Sequence, residues 1–126
     1  MASIFELENP SFGRLTHERT VLAGGDEATT VGAADCINSV VTVTPTAART
    51  YTTATAALIL TELGVNAKVG QTFELVVVNL APNTHAITVA GGTGVTVTGL
   101  ATVAHSTSGR FIGRVASSST ITLYRA

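Results

Sequence analysis

The chain has no tryptophan, one cysteine, one methionine and three prolines among 126 residues. A single cysteine excludes an internal disulfide and a thiolate metal cluster. Cys36, in Asp-Cys-Ile ahead of an apolar run, reads as a small buried residue. Charge is scarce as well: Asp, Glu, Lys and Arg make up 12% of the chain, about half of the ~25% usual for globular proteins. The net charge of −1 gives no case for nucleic acid or an anionic membrane as partner. No window approaches ~18 consecutive apolar residues, so no segment reads as a membrane span. The first eight residues lack the basic region and the uninterrupted apolar stretch of a signal peptide.

The charges that exist are unevenly spread. Residues 1–36 hold Glu6, Glu8, Glu18, Asp26, Glu27 and Asp35 against Arg14 and Arg19, whereas residues 75–126 hold only Arg110, Arg114 and Arg125. A span so poor in charge is hard to keep soluble as bare surface, which predicts that other subunits cover part of it. The competing reading is a Thr/Ser surface that hydrates well enough alone.

What the chain does have is threonine, its commonest residue, with valine and 12 glycines, at a mean hydropathy of +0.42. Branched residues fit a pleated surface and glycine marks turns, so the composition is that of an all-β protein. The length suits one domain. Short strands separated by Gly/Ser/Thr turns predict a β-sandwich, jelly-roll-like, over residues 26–126. Strands are expected at Glu27–Gly32, Ile37–Thr44, Arg49–Ala54, Val95–Thr98, Ala101–Ala104, Arg110–Ala116 and Thr120–Arg125, with a turn at Ser106–Gly109. One short helix is expected at Thr55–Leu63, capped by Thr55 and stopped by Gly64, with Leu58, Ile59 and Leu63 sharing a face.

The central stretch, Val69–Ala90, reads as a hairpin of two strands about a turn at Ala81–Thr84. In its first strand Phe73, Leu75, Val77 and Asn79 fall on one face, and Glu74, Val76, Val78 and Leu80 on the other. Both faces are mostly apolar, so cover is expected on both sides. Val76, Val78 and Leu80 are therefore expected at a subunit interface, with a second sheet or the helix at Thr55–Leu63 as the alternative cover. Arg110 and Arg114, at i and i+4 on one strand, share a face and are placed at that interface, with Arg125 extending a basic strip for docking to an acidic partner surface; the competing reading is a solvated outer sheet face.

Residues 1–25 differ from the rest. Pro10 and Gly13 argue against a continuous helix. The spaced apolar side chains Ile4, Phe5, Leu7, Phe12 and Leu15 suit an extended N-terminal arm lying across a partner, with Gly24–Gly25 as its hinge. The bland reading is an edge strand plus a loose terminus.

Residues able to carry chemistry are few. Gly91-Gly-Thr-Gly94 leads into a strand and lacks the helix that a phosphate-binding loop needs. His17, His85 and His105 have no neighbouring ligand at metal spacing, and only a meeting of His85 or His105 copies about a three-fold axis would hold a metal. His105 and Ser106 sit adjacent on the chain without a nucleophile elbow. After residue 36 the only carboxylates are Glu62 and Glu74. No catalytic, cofactor-binding or metal-binding residue is assigned, and an enzyme is not expected.

Four stretches together resemble small virion proteins of tailed phages: Thr44-Pro-Thr-Ala-Ala-Arg-Thr-Tyr-Thr-Thr-Ala-Thr-Ala-Ala-Leu-Ile-Leu60, Val69-Gly-Gln-Thr-Phe-Glu-Leu-Val-Val-Val-Asn79, Ala90-Gly-Gly-Thr-Gly-Val-Thr-Val-Thr-Gly99, and Ser108-Gly-Arg-Phe-Ile-Gly-Arg-Val115 with Ile121-Thr-Leu-Tyr-Arg125. The resemblance covers roughly residues 40–126 and is to a type of module found as capsid decoration (cement) proteins and as parts of other virion structural proteins. It implies a β-sandwich or jelly-roll protomer, commonly a homotrimer, bound to the outside of a shell of major capsid proteins where capsomers meet. No single functional residue carries over from it. The expectation is thus a virion protein on the outer capsid surface, with major capsid protein and its own copies as partners, and no nucleic acid, membrane or cofactor. The capsid-binding arm would use Ile4, Phe5, Leu7, Phe12 and Leu15. The alternative is a trimeric tail-fibre or receptor-binding module that recognises host glycans through turns such as Ala81–Thr84 or Gly91–Gly94. The absence of tryptophan, with only Tyr51 and Tyr124 for sugar stacking, weighs against it.

Overall fold

Successive strands step back and forth between two sheets in the computed structural model, which describes residues 18–126. The strands are β1 (Thr20–Ala23), β2 (Thr29–Thr30), β3 (Ser39–Val43), β4 (Arg49–Thr52), β5 (Thr72–Asn79), β6 (Ile87–Ala90), β7 (Val95–Thr98), β8 (Thr102–Val103), β9 (Thr107–Val115) and β10 (Ile121–Arg125). The six-stranded sheet runs β1-β3-β5-β9-β10-β7 and the four-stranded sheet β2-β4-β6-β8. The described residues are mostly β, consistent with an all-β protein, with a single turn of helix α1 (Ala33–Cys36) and the longer α2 (Ala56–Leu63) between strands.

The first six strands wind as three coils. β1, β3 and β5 stack in parallel in one sheet, and β2, β4 and β6 stack in parallel in the other. β9 then closes antiparallel onto β5, and β10 onto β9, joined by the bend at Ser117–Ser119. Inward side chains of both sheets, among them Val41, Tyr51, Leu75, Ile87, Phe111 and Leu123, belong to one buried cluster. Each such side chain removed from water contributes about 1.5–3 kcal/mol.

The alternation of β5 is as expected: Phe73, Leu75, Val77 and Asn79 are buried and Glu74, Val76 and Val78 half-buried. The hairpin is not. β5 has β3 on one side and β9 on the other, so neither edge is open to β6, which lies in the other sheet. The link from Leu80 to Ala86 is longer than a tight hairpin loop and crosses between the sheets. Buried Asn79 fixes that crossing. Its Nδ2 donates to the carbonyls of His85 (2.9 Å) and Val103 (3.0 Å), and its Oδ1 accepts the Ala81 N–H at 3.0 Å.

Helix α2 has its expected caps: Thr55 Oγ1 accepts the Leu58 N–H at 3.3 Å, and Gly64 stands at φ 60°. Its buried stripe is Ala56, Ile59, Leu60 and Leu63, an i, i+3, i+4, i+7 pattern, whereas Leu58 is 57% exposed and leaves the face assigned to it. Cys36 is buried as expected; its thiol donates to the Val31 carbonyl at 3.6 Å, and burial pushes its pKa up. The strand expected over Glu27–Gly32 shortens to β2, and the turn expected at Ser106–Gly109 moves to His105–Ser106 because β9 already starts at Thr107.

The expected arm changes at its body end. Residues 20–23 form β1, paired with β3, and the Gly24 N–H donates to the Thr42 carbonyl at 2.8 Å. A Cβ on Gly24 would meet the Tyr51 hydroxyl at 2.5 Å, and that hydroxyl donates to the Gly25 carbonyl. Gly24–Gly25 is thus a close approach to the body and not a hinge. Ile4, Phe5, Leu7, Phe12 and Leu15 lie outside the described residues.

Beyond Gly25 the chain is tied down by Asp26, which accepts from the Thr46 N–H (3.0 Å), the Thr46 hydroxyl (2.6 Å) and Arg49 Nε (2.8 Å). These bonds, the Thr46 hydroxyl foremost, lower its pKa from 3.8 to about 2. A depressed carboxylate contributes stability that is complete above the unfolded value and lost as pH falls through the folded one. An NMR titration of the Thr46 amide should therefore show a midpoint near pH 2 that vanishes in Asp26→Asn; a midpoint near 3.8 would mean that these bonds do not form in solution.

Candidate interaction surface

Strand register sorts the outer face of the six-stranded sheet into rows. Val21, Val40, Val76 and Arg110 form one row across β1, β3, β5 and β9; Ala23, Thr42, Val78 and Ser108 form the next. A third row, Glu74, Ile112, Tyr124 and Thr98, crosses β5, β9, β10 and β7. Val21 is 70% exposed and Tyr124 44%, while Val40, Val76, Val78 and Ile112 are half-buried. The apolar part of this face sits on the parallel strands β1, β3 and β5. Parallel sheets are ordinarily covered on both faces, yet among the described residues Val40, Val76 and Val78 keep part of their surface open.

Beside the apolar rows stands an ion-pair cluster. Glu74 accepts from Arg110 Nε through one carboxylate oxygen and pairs with Arg19 through the other. The hydrogen bond from Arg110, helped by the charge of Arg19, holds the Glu74 carboxyl below the usual carboxylate range. Arg114 is exposed on the same face, opposite Thr72 and Thr122, with no acidic partner among the described residues. Among the described residues, three arginines thus share this face with one carboxylate.

The structure brings Val76, Val78, Arg110 and Arg114 onto one face, as the period of two predicts. Leu80, just past the end of β5, is 52% exposed at the rim. Arg125 does not join the strip. It follows the outward Tyr124, so its side chain turns inward, donating to the Leu100 and Thr102 carbonyls (both 2.9 Å) and lying 5.4 Å from the centre of the Phe111 ring. Sequence reasoning missed Val21, Val40, Ile112 and Tyr124 as members of the face, and the Arg19–Glu74–Arg110 cluster. Alternation within each strand was readable, but which strands lie side by side depends on contacts far apart in sequence.

The other candidates are engaged structurally. Gly91 and Gly92 pack against backbone, and the Gly92 N–H donates to Thr53 Oγ1 at 3.0 Å, which leaves no open cradle of donors. Ser106 Oγ donates to the Ala81 carbonyl at 3.0 Å and ties two turns together. The turn at 82–85 borders a shallow cleft of 260 Å³ with Pro45 and Thr46. Among the described residues no three His, Cys, Asp or Glu side chains stand together as metal ligands, and no helix is long and apolar enough to cross a membrane. No family model, no curated protein and no solved structure matches the chain.

Proposed function

We propose that this chain is a structural virion protein, a capsid decoration (cement) protein that binds the outside of a phage head as a homotrimer and stabilises contacts between capsomers. The observation that carries the reading is the apolar face of β1, β3 and β5, centred on Val40, Val76 and Val78, which stay partly open among the described residues. In the trimer a neighbouring subunit covers these residues and the Leu80 rim, with Arg110 and Arg114 at the border. The two sheets are read as a β-sandwich. Jelly rolls are antiparallel, whereas five of the eight pairings among the described residues are parallel, so a coiled sandwich describes the topology better. Ile4, Phe5, Leu7, Phe12 and Leu15 would grip the major capsid protein, each weakly, with trivalency raising the effective concentration of the others. No enzymatic step, cofactor, nucleic acid or membrane belongs to this reading.

Sedimentation equilibrium should give a trimer for the native chain and a monomer for Val76→Asp/Val78→Asp, with unchanged circular dichroism. A carboxylate placed in a covered apolar row costs on the order of several kcal/mol per copy. Gold-labelled antibody on virions of the encoding phage should mark the head surface. A monomeric native chain would overturn the trimer, and label confined to the tail would overturn decoration.

A further inference from the structure

The large apolar side chains left exposed among the described residues fall mainly into two groups. Val21, Leu80 and Tyr124 lie on the outer face of the six-stranded sheet or at its rim. Leu58, Val65 (88% exposed) and Val69 (63%) belong to α2 and the residues just after it, and Leu100 stands apart from both groups. Helix α2 already packs its inward stripe, Ala56, Ile59, Leu60 and Leu63, on the core of its own subunit. Its opposite stripe, Ala57, Leu58, Thr61 and Glu62, is exposed, with Leu58 and Glu62 one turn apart on the same side. The chain then turns at Gly64 and presents Val65 in the 3-10 turn Gly64–Asn66. A lone exposed leucine is ordinary on a surface, but one followed so closely by two exposed valines marks a contact region. Glu62 is the single charge on α2, and no basic side chain pairs with it among the described residues. Lys68 stands beyond the turn, outside the helical stripe.

We propose that the exposed stripe of α2, with Val65 beyond it, docks on the β1, β3 and β5 face of a second copy of this chain. Leu58 and Val65 then lie over Val40 and Val76, and Glu62 faces Arg114. The inference rests on the trimer reading and names the element of the neighbour that does the covering. Parallel sheets are typically covered by helices, and the inward stripe of α2 is already occupied, so its outer stripe can cover only another copy. The unpaired charges match: Arg114 is exposed on the sheet face without an acidic partner among the described residues, and Glu62 is exposed without a basic one. Symmetry agrees as well. A two-fold contact sets one patch against itself and would leave the other patch open. Two unlike patches make a head-to-tail contact, which a three-fold rotation closes into a ring with both covered.

The test uses the full chain with the photoreactive residue p-benzoylphenylalanine at position 58, and separately at position 65. Both side chains are exposed, so neither insertion disturbs the core. In a sample mixed from isotope-labelled and unlabelled chains, crosslinks should join different copies and fall on Val21, Val40, Val76, Val78 or residues 110–114. Glu62→Arg and Arg114→Glu should each weaken association about twofold to fivefold per contact, the range for a partly exposed ion pair. The double variant should recover most of that loss in sedimentation equilibrium. A chain that sediments as a trimer but crosslinks helix to helix, or only within one copy, would overturn this contact and leave the trimer standing. A double variant that associates no better than the single ones would do the same. A native monomer would overturn both readings.

Discussion

Replacing Asn79 with leucine is expected to lower the unfolding free energy by about 3–5 kcal/mol, although the side chains have similar volumes. Asn79 is 1% exposed and all its hydrogen-bonding groups that face the crossing are matched. Leucine leaves the carbonyls of His85 and Val103 and the N–H of Ala81 without these partners. Each buried orphan costs about 1–3 kcal/mol, and leucine's extra transfer free energy recovers only part of that. Asn79→Asp should be at least as damaging at neutral pH, since it keeps the acceptor for Ala81 but sets a second oxygen against two carbonyls. Urea denaturation of the native chain, Asn79→Leu and a control at the exposed Asn83 measures the difference. A loss below about 1 kcal/mol for Asn79→Leu would mean that the crossing is held by its other contacts.

Asn79 also shows where reading the sequence stops. Its place on the inward face of β5 follows from alternation, and so does its burial among Phe73, Leu75 and Val77. Nothing local says what a buried amide at the end of that strand would hold, and Pro82-Asn83 suggests a tight turn with equal ease. The hairpin and the crossing differ only in which edges of β5 are free, and those are taken by Ser39–Val43 upstream and by Thr107–Arg114 downstream. Arg125 is a different kind of miss. The parity that turns Tyr124 outward already turns Arg125 inward, so the signal was present in the strand itself. The body end of the arm lay between these cases. Thr-Val-Leu-Ala is a good short strand, but its pairing depends on β3 and on the approach of Gly24 to Tyr51. The helix was most legible because its caps, Thr55 and Gly64, act within a few residues of one another.

Gly113→Ala is expected to destabilise by about 2–4 kcal/mol, against the ordinary preference for alanine over glycine in a strand. Gly113 of β9 stands directly opposite Phe73 of β5, and the Phe73 ring lies over it. A Cβ at position 113 would fall 2.3 Å from Phe73 Cζ and 2.5 Å from Cε2, distances at which one of the two must move. Phe73 is 4% exposed and belongs to the core cluster, so it has little room to yield inward. Removing the ring should remove the conflict. Phe73→Leu alone costs about 1–2 kcal/mol for lost packing, and in its presence Gly113→Ala should be nearly neutral, giving a coupling of at least ~1 kcal/mol in a double-mutant cycle. Additive effects would show that the ring does not rest on Gly113.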